Sequence, residues 1–260
     1  MGAEHKRLLI EERRREILRL LRTQERLTVE QLVRHFDVSA VTVRSDLATL
    51  DASGELVRAH GAALRLDADD LPLDTKARRN HPEKSRIGAA AAARIRDGET
   101  VVIDSGSTAA EVARHIRYQK LTSLTVVTSA LNVGAELSRL PWVRVVMLGG
   151  LLRHVSQSAV GPHAEEVLRG LNADQLFLGV DAIDVEAGLS TPDVLEARLN
   201  ALMIRVSRRV TVVADASKFM RRSLSVIAPV TAAHALITDT ATDPDTIARL
   251  RECGLDVVLV

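Results

Sequence analysis

Several things that constrain a fold are scarce in this sequence of 260 residues. It has one cysteine, Cys253, which excludes an internal disulfide and favours a reducing compartment. Aromatic residues make up only 2% of the chain, so the core must be aliphatic. Its 35 basic residues nearly balance its 34 acidic ones, and the net charge of +1 does not indicate a nucleic-acid partner by itself.

Long apolar runs are also missing. No segment has the 20 or so apolar residues that cross a bilayer, and the charged N-terminus lacks the apolar run of a signal peptide. We therefore expect no membrane partner and a cytoplasmic location.

The residues that are there fall into two unlike parts. Residues 1–66 have the pattern of three short helices and a hairpin. From Pro82 an Ala-rich helical pattern runs to Gly98, and residues 100–260 alternate between apolar strands and helices. Between them, residues 67–82 are polar and contain two prolines, a composition typical of a linker whose second half can be helical. The predicted domains are 1–66 and 83–260, joined by a linker at 67–82.

The N-terminal part has the pattern of a helix-turn-helix. Thr28 and Gln31 form a capping box before the second helix, and Ser39 caps a third helix. The outer face of that third helix is small and polar with one arginine, which suits a major groove, and the following hairpin would be a wing. The predicted DNA contacts are Arg13, Arg14, Ser39, Thr42, Arg44, Ser45, Arg58 and His60.

The C-terminal part predicts an α/β fold. Its strands are Val-rich and continuous, and most are separated by helical patterns, which is typical of a mostly parallel sheet covered on both faces. Ligands of such sheets bind at the carboxyl ends of strands.

One strand end carries the segment DSGST, residues 104–108, directly before a helix. Hydroxyls, backbone N–H groups and a glycine at a helix N-terminus suit a phosphate. Asp104 would repel a phosphate, so it is expected to bind sugar hydroxyls or to orient the loop. A simple polar turn is the alternative interpretation.

Other strand ends supply matching groups. Cations and N–H groups would hold a phosphate and carboxylates would hold hydroxyls, a combination that suits a polyol phosphate. The predicted effector-binding residues are Asp104, Ser105, Gly106, Ser107, Thr108, Thr128, Ser129, Gly149, Gly150, Arg153, Gln157, Asp181, Glu196 and Lys218.

The segments VSAVTVRSDL (38–47) and LVRAHGA (56–62) resemble the winged helix-turn-helix signature of the DeoR family of bacterial sugar-catabolism repressors. Two positions depart from the common pattern. Ser45 stands where many members have a second basic residue, and HGAA stands where many have HGGA.

The resemblance continues through DSGSTAAEVAR, SQS at 156–158, FLGVDAID and STPDVLEARLN. It implies an effector domain with the fold of ribose-5-phosphate isomerase, and it is strongest to AgaR-type regulators of N-acetylgalactosamine and galactosamine use. Ser129-Ala130 and Pro192-Asp193 depart from the family pattern, and either pair can alter which sugar fits.

Two functions remain open on the residues alone. The chain is either a repressor that senses a phosphorylated sugar or a sugar-phosphate isomerase or deaminase with an accessory helical module. Asp181, Glu196 and Lys218 are the residue types that proton transfer needs, but the Lys-Gly-Gly segment of the isomerases is absent after the acidic pair. A third option is that residues 1–66 only hold protomers together.

The DNA-reading signature favours the repressor, with no catalytic residues, no cofactor and no metal. Its partners would be double-stranded operator DNA, a phosphorylated sugar effector and further copies of the chain. A single helix-turn-helix contacts few base pairs, so we expect a homo-oligomer, either a dimer or a tetramer. Helices at 132–140 and 192–207 are candidate dimer surfaces, and the expected location is the bacterial cytoplasm, on the nucleoid.

Overall fold

A computed structural model describes residues 10–24, 26–52, 56–59, 62–64 and 71–260. The chain divides into two compact units, residues 1–71 and 72–260. Within the described residues no helix has the length and apolar character needed to span a membrane. The domain bounds that the sequence predicts, 1–66 and 83–260, stay predictions. Within the expected linker the structure has a helix, Leu73–Arg78, which belongs to the second unit.

The first unit is a winged helix-turn-helix. Its elements are α1 (Ile10–Thr23), β1 (Arg26–Thr28), α2 (Val29–Phe36), α3 (Ala40–Ala52), β2 (Val57–Ala59) and β3 (Ala62–Leu64). The strands form an antiparallel sheet in the order β1-β3-β2. The capping box at the start of α2 is confirmed, since the Gln31 N–H donates to Thr28 Oγ1 at 3.2 Å and the Thr28 N–H donates to Gln31 Oε1 at 2.7 Å.

The second unit follows the expected alternation. Its helices are α4 (Leu73–Arg78), α5 (His81–Ala92), α6 (Ser107–Ile116), α7 (Leu131–Leu137), α8 (Pro162–Arg169), α9 (Val194–Val206) and α10 (Pro244–Glu252). Its strands are β4 (Thr100–Ile103), β5 (Leu124–Thr128), β6 (Val143–Met147), β7 (Leu151–Arg153), β8 (Ser158–Val160), β9 (Ala173–Gly179), β10 (Ala182–Asp184), β11 (Gly188–Thr191), β12 (Ser207–Val213), β13 (Ser225–Ala228), β14 (Ala235–Thr238) and β15 (Asp256–Leu259).

Seven strands form one parallel sheet in the order β15-β14-β12-β9-β4-β5-β6. Neighbouring residues of a strand enter different cores: Val102 belongs to one buried cluster, while Val101 and Ile103 belong to the other. Both faces of the sheet are therefore covered, which is why the strands have no polar alternation. The expected α/β class is confirmed.

The strand order places a switch point beside β4. From β4 the chain proceeds to β5 and β6 on one side, and it later returns to β9 on the other side. The connections that leave β4 and β9 therefore diverge, and this opens a crevice at their carboxyl ends. Two smaller sheets, β7-β8 and β10-β11-β13, are separate from the seven-stranded sheet. The strand pattern in the sequence did not predict them as separate sheets.

Candidate functional site

Helix α3 presents a small, polar outer surface. Val43, Leu47 and Leu50 are buried. The residues that face outward include Val41, Arg44, Ser45 and Ala48. Ser39 caps the helix as expected, because the Thr42 N–H donates to Ser39 Oγ at 3.1 Å. Arg44 and Ser45 are thus free of the core, whereas Thr42 is half-buried with its hydroxyl 2.9 Å from that of Ser39.

Arg13 and Arg14 have a different environment from the one expected. Arg13 Nε lies 2.5 Å from Asp46 Oδ2, and the two side chains are only 8% and 3% exposed. Arg14 Nε lies 3.1 Å from Asp46 Oδ1. A buried, paired guanidinium does not reach a phosphate, so we remove Arg13 from the DNA contacts. Asp46 instead ties α1 to α3.

Two expected DNA contacts fall outside what the structure describes. Arg58 belongs to β2, but its side chain lies outside the described residues, as does His60 at the expected tip of the wing. Strands β2 and β3 pair antiparallel with Ala59 opposite Ala62.

In the second unit a cleft that is partly open to solvent lies at the carboxyl ends of β4 and β9. It is the crevice expected from the switch point. The residues that line it are Leu73, Lys76, Asp104, Ser105, Gly106, Ser107, Thr108, Val155, Ser156, Gly179, Val180, Asp181, Thr191, Glu196, Asn200 and Lys218.

One wall of the cleft is the loop from β4 to α6. Gly106 has a φ of +99°, a backbone conformation that L side chains rarely adopt, and no side chain caps α6. The first N–H groups of a helix have no partner within it, so those of α6 remain available at this edge. A Cβ on Gly179 would lie 2.8 Å from the carbonyl oxygen of Ser105, so a glycine there lets β9 approach the loop. This wall can hold an anion.

The opposite wall carries a carboxylate shared by two lysines. Asp181 Oδ1 lies 2.6 Å from Lys76 Nζ and 3.5 Å from Lys218 Nζ, and Thr191 Oγ1 donates to Asp181 Oδ2 at 3.1 Å. Burial alone would raise the pKa of Asp181, but the two lysines outweigh it and hold that pKa below its usual value. Burial lowers the pKa of Lys218 in spite of Asp181.

Two more acids occupy the floor. Asp104 is 2% exposed, and Asn200 Nδ2 donates to its Oδ2 at 3.3 Å. Burial raises the pKa of Asp104 well above its usual value; the N–H of Ser105 opposes this rise and the charge of Glu196 adds to it.

Glu196 accepts a hydrogen bond from the hydroxyl of Ser158 at 3.1 Å, and its other carboxylate oxygen lies 3.3 Å from Thr191 Oγ1. The structure thus gathers carboxylates, an amide and hydroxyls that can bind a polyol.

Eight of the fourteen residues expected to bind an effector line the cleft. They are Asp104, Ser105, Gly106, Ser107, Thr108, Asp181, Glu196 and Lys218. The structure places the other six away from its lining: Thr128, Ser129, Gly149, Gly150, Arg153 and Gln157.

The reason lies in where their strands end. Thr128 is the last residue of β5, Ser129 follows it, and both are buried. Gly149 and Gly150 follow β6 at the edge of the sheet, two strands from β4. Arg153 ion-pairs with Asp193 at 3.2 Å and with Glu196 at 3.5 Å, so it acts on the cleft through Glu196.

Sequence reasoning missed several lining residues. Lys76 lies within residues 67–82, which the sequence predicts to be a linker, so it was not expected to line a site. Asn200 follows Glu196 by four residues on α9, a spacing that places both on one helix face and gave a usable signal. In the described part of the chain, no group of three or more histidine, cysteine, aspartate or glutamate side chains is arranged to hold a metal ion.

Comparison with known families matches both units. Residues 13–68 match the DeoR-like helix-turn-helix domain, and residues 79–240 match the DeoR C terminal sensor domain.

Similar curated proteins span the whole chain. A putative aga operon transcriptional repressor of Escherichia coli O157:H7 is 40% identical over 253 residues, which cover 96% of this chain and 93% of that protein. The glycerol-3-phosphate regulon repressor of Escherichia coli K12 is 32% identical over 86% of this chain and 88% of its own length.

Among solved structures, ribose 5-phosphate isomerase A from Methanocaldococcus jannaschii aligns with a TM-score of 0.40 at 18% identity, over 54% of this chain and 55% of that one.

Proposed function

The chain belongs to the DeoR family of transcriptional regulators, and on that premise we propose that it represses a carbohydrate catabolic operon until a phosphorylated sugar occupies the cleft at β4 and β9. The observation that best supports a phosphorylated-sugar effector is the cleft itself. It joins an anion-binding helix start, two lysines and three carboxylates at the switch point of a parallel sheet.

The chain is a regulator rather than an enzyme, as its family membership shows. Asp181 and Glu196, the carboxylates that an isomerase would need for proton transfer, both already have partners in or beside the cleft. Asp181 is held by Lys76 and Lys218, and Glu196 by Arg153 and two hydroxyls.

The phosphate would bind at residues 105–108, with Lys218 as its cation. Backbone N–H groups at a helix start and a nearby ammonium are the ordinary partners of a phosphate. The carboxylates of Asp104 and Glu196, with Asn200, would bind hydroxyl or amino groups of the sugar. Resemblance to AgaR-type regulators favours a hexosamine phosphate, and the name of the glycerol-3-phosphate relative supports a phosphorylated ligand.

On the DNA side, α3 would enter the major groove with Arg44 and Ser45 toward the bases. Specific operator binding requires at least two such helices on paired half-sites, so the active species is a homo-oligomer. Helix α9 buries Leu199, Leu202 and Met203 in its own unit. Each of the two candidate helices begins with one exposed apolar residue, Leu131 on α7 and Val194 on α9, so both stay candidate dimer surfaces. We place this oligomer in the cytoplasm, on the nucleoid.

A thermal-shift screen tests the effector. The panel is galactosamine 6-phosphate, N-acetylgalactosamine 6-phosphate, glucose 6-phosphate, ribose 5-phosphate and glycerol 3-phosphate, each beside its unphosphorylated parent. A ligand at 100 times its Kd stabilises by about 2.7 kcal/mol, which for a domain of this size is about 5–10 °C in Tm. We expect such a shift for at least one phosphate and none for its parent.

Equal shifts by a phosphate and its parent would contradict the phosphate site. Turnover of ribose 5-phosphate or a hexosamine phosphate at about 1 per second or faster would contradict the receptor function.

A further inference from the structure

Helix α4 is both the first element of the second unit and a wall of the cleft. It begins two residues after Leu71, where the first unit ends. Leu73 and Lys76 line the cleft, and the Leu73 N–H donates to the carbonyl oxygen of Val155 at 2.8 Å. Whatever moves α4 therefore acts directly on the chain that leads to the DNA-binding unit.

Polar contacts hold α4 against the cleft. Lys76 Nζ lies 2.6 Å from Asp181 Oδ1, and the backbone oxygen of Lys76 accepts a hydrogen bond from Lys84 Nζ at 2.7 Å. Lys84 is buried and lies 3.5 Å from Asp215 Oδ2, and Asn80 at the end of the α4–α5 turn donates to Asp215 at 2.9 Å. The position of α4 thus depends on a short chain of charges that begins in the cleft.

A ligand in the cleft would change the first link of that chain. A phosphate attracts lysines, and a sugar hydroxyl donates to a carboxylate, so either group alters the Lys76–Asp181 pair. Lys218 Nζ, the expected cation of the phosphate, lies 3.5 Å from the same carboxylate oxygen, so a phosphate bound to it would lie beside the Lys76–Asp181 pair. Helix α4 has six residues and no side-chain cap, so its position depends on these tertiary contacts rather than on helix stability of its own.

We infer that Lys76 is the residue that transmits effector binding to the DNA-binding unit, because its ion pair with Asp181 fixes α4 and the effector breaks that pair. This inference depends on the proposed function, since it assigns the regulation of the same cleft. An effector shifts an equilibrium only through differential affinity for two states, and the two positions of Lys76 supply that difference.

The test measures how strongly the ligand and the operator affect each other. The probe is galactosamine 6-phosphate, or the screened sugar phosphate that raises the Tm most. Operator affinity of the full chain is measured without the probe and at saturation, and their ratio is the coupling factor, typically about 5–150-fold in allosteric proteins. At saturation this ratio does not depend on how tightly a variant binds the probe.

We expect Lys76→Met to bind the probe at raised concentration with a coupling factor near 1. Lys218→Met is the matched control: it loses a lysine from the same carboxylate, binds the probe more weakly and keeps the wild-type factor at saturation. A wild-type factor in Lys76→Met would overturn the inference, as would equal losses in both variants.

A second variant leaves the cleft intact. Insertion of Gly-Gly-Ser between Leu71 and Pro72 should preserve the probe Kd and bring the coupling factor near 1, since α4 then no longer leads directly into the DNA-binding unit. If the insertion variant keeps the wild-type coupling factor, transmission through α4 is refuted. This result decides the question even if Lys76→Met does not fold. If the wild-type chain itself neither binds any phosphate nor responds to one, the proposed function fails instead.

Discussion

Replacing Asp46 with alanine should destabilise the DNA-binding unit by about 3–5 kcal/mol, because it leaves the buried Arg13 without its carboxylate. Arg14 loses an ion pair at 3.1 Å in the same step. A domain of about 60 residues has a total stability of roughly 3–9 kcal/mol. The substitution should therefore remove a large share of the stability of this unit, while the sensor unit keeps its own core.

Amide hydrogen exchange on the full-length chain measures this by region. Loss of 3–5 kcal/mol raises the exchange rates of α1 to α3 by roughly 150- to 5000-fold, with no change in β4, β9 or β12. The control is Glu16→Ala, which breaks the more exposed pair with Arg19 on the same helix and should cost less than about 1 kcal/mol.

The double variant Arg13→Met with Asp46→Leu removes both charges and should regain most of the lost protection. Comparable exchange in Asp46→Ala and Glu16→Ala would refute a structural role for this ion pair. If the double variant has wild-type amide protection but does not bind the operator, Arg13 is a DNA contact after all.

Three further predictions concern the cleft and the recognition helix. Gly179→Ala should weaken sugar-phosphate binding in calorimetry, because its Cβ would lie 2.8 Å from the Ser105 oxygen, whereas Gly170→Ala, with 3.6 Å to its nearest neighbour, should not. Since burial raises the pKa of Asp104 in the folded state, the folded protein keeps this proton to a higher pH than the unfolded chain does, and wild-type stability should fall as pH rises above about 4, the usual pKa of an aspartate; urea unfolding of Asp104→Asn should lack this component, and parallel pH curves would contradict it. Arg44→Ala should cost about 1–3 kcal/mol in operator affinity by fluorescence anisotropy, and wild-type affinity would remove it from the base contacts.

Local signals predicted much of the fold. The capping box at Thr28 and Gln31 involves residues three apart, so the sequence contains everything that forms it. The loop at 104–108 was found for the same reason, since a strand, a glycine and a helix start are consecutive. Val-rich strands between helices were enough to predict a parallel sheet.

Features that depend on strand order or distant pairing were not accessible. The expectation for Gly149 and Gly150 treated all strand ends as neighbours, but β6 lies at the edge of the sheet. Asp46 lies on the inner face of α3, but no feature of the neighbouring sequence indicates that its partner is Arg13, 33 residues earlier. Lys76 lies in a polar segment with linker composition, and only tertiary structure brings it 2.6 Å from a carboxylate 105 residues later.

The central claim is that one chain joins operator binding to a sugar-phosphate cleft, and operator affinity with and without a sugar phosphate tests it most directly. An operator fragment is selected from genomic DNA by binding to the wild-type chain, and its affinity is measured by fluorescence anisotropy at fixed salt with each phosphate of the panel and each parent sugar. We expect one phosphate to weaken operator binding by about 5–150-fold and its parent sugar to leave the affinity unchanged. Operator affinity that no phosphate alters, in a chain that the same phosphates stabilise against heat, would contradict it.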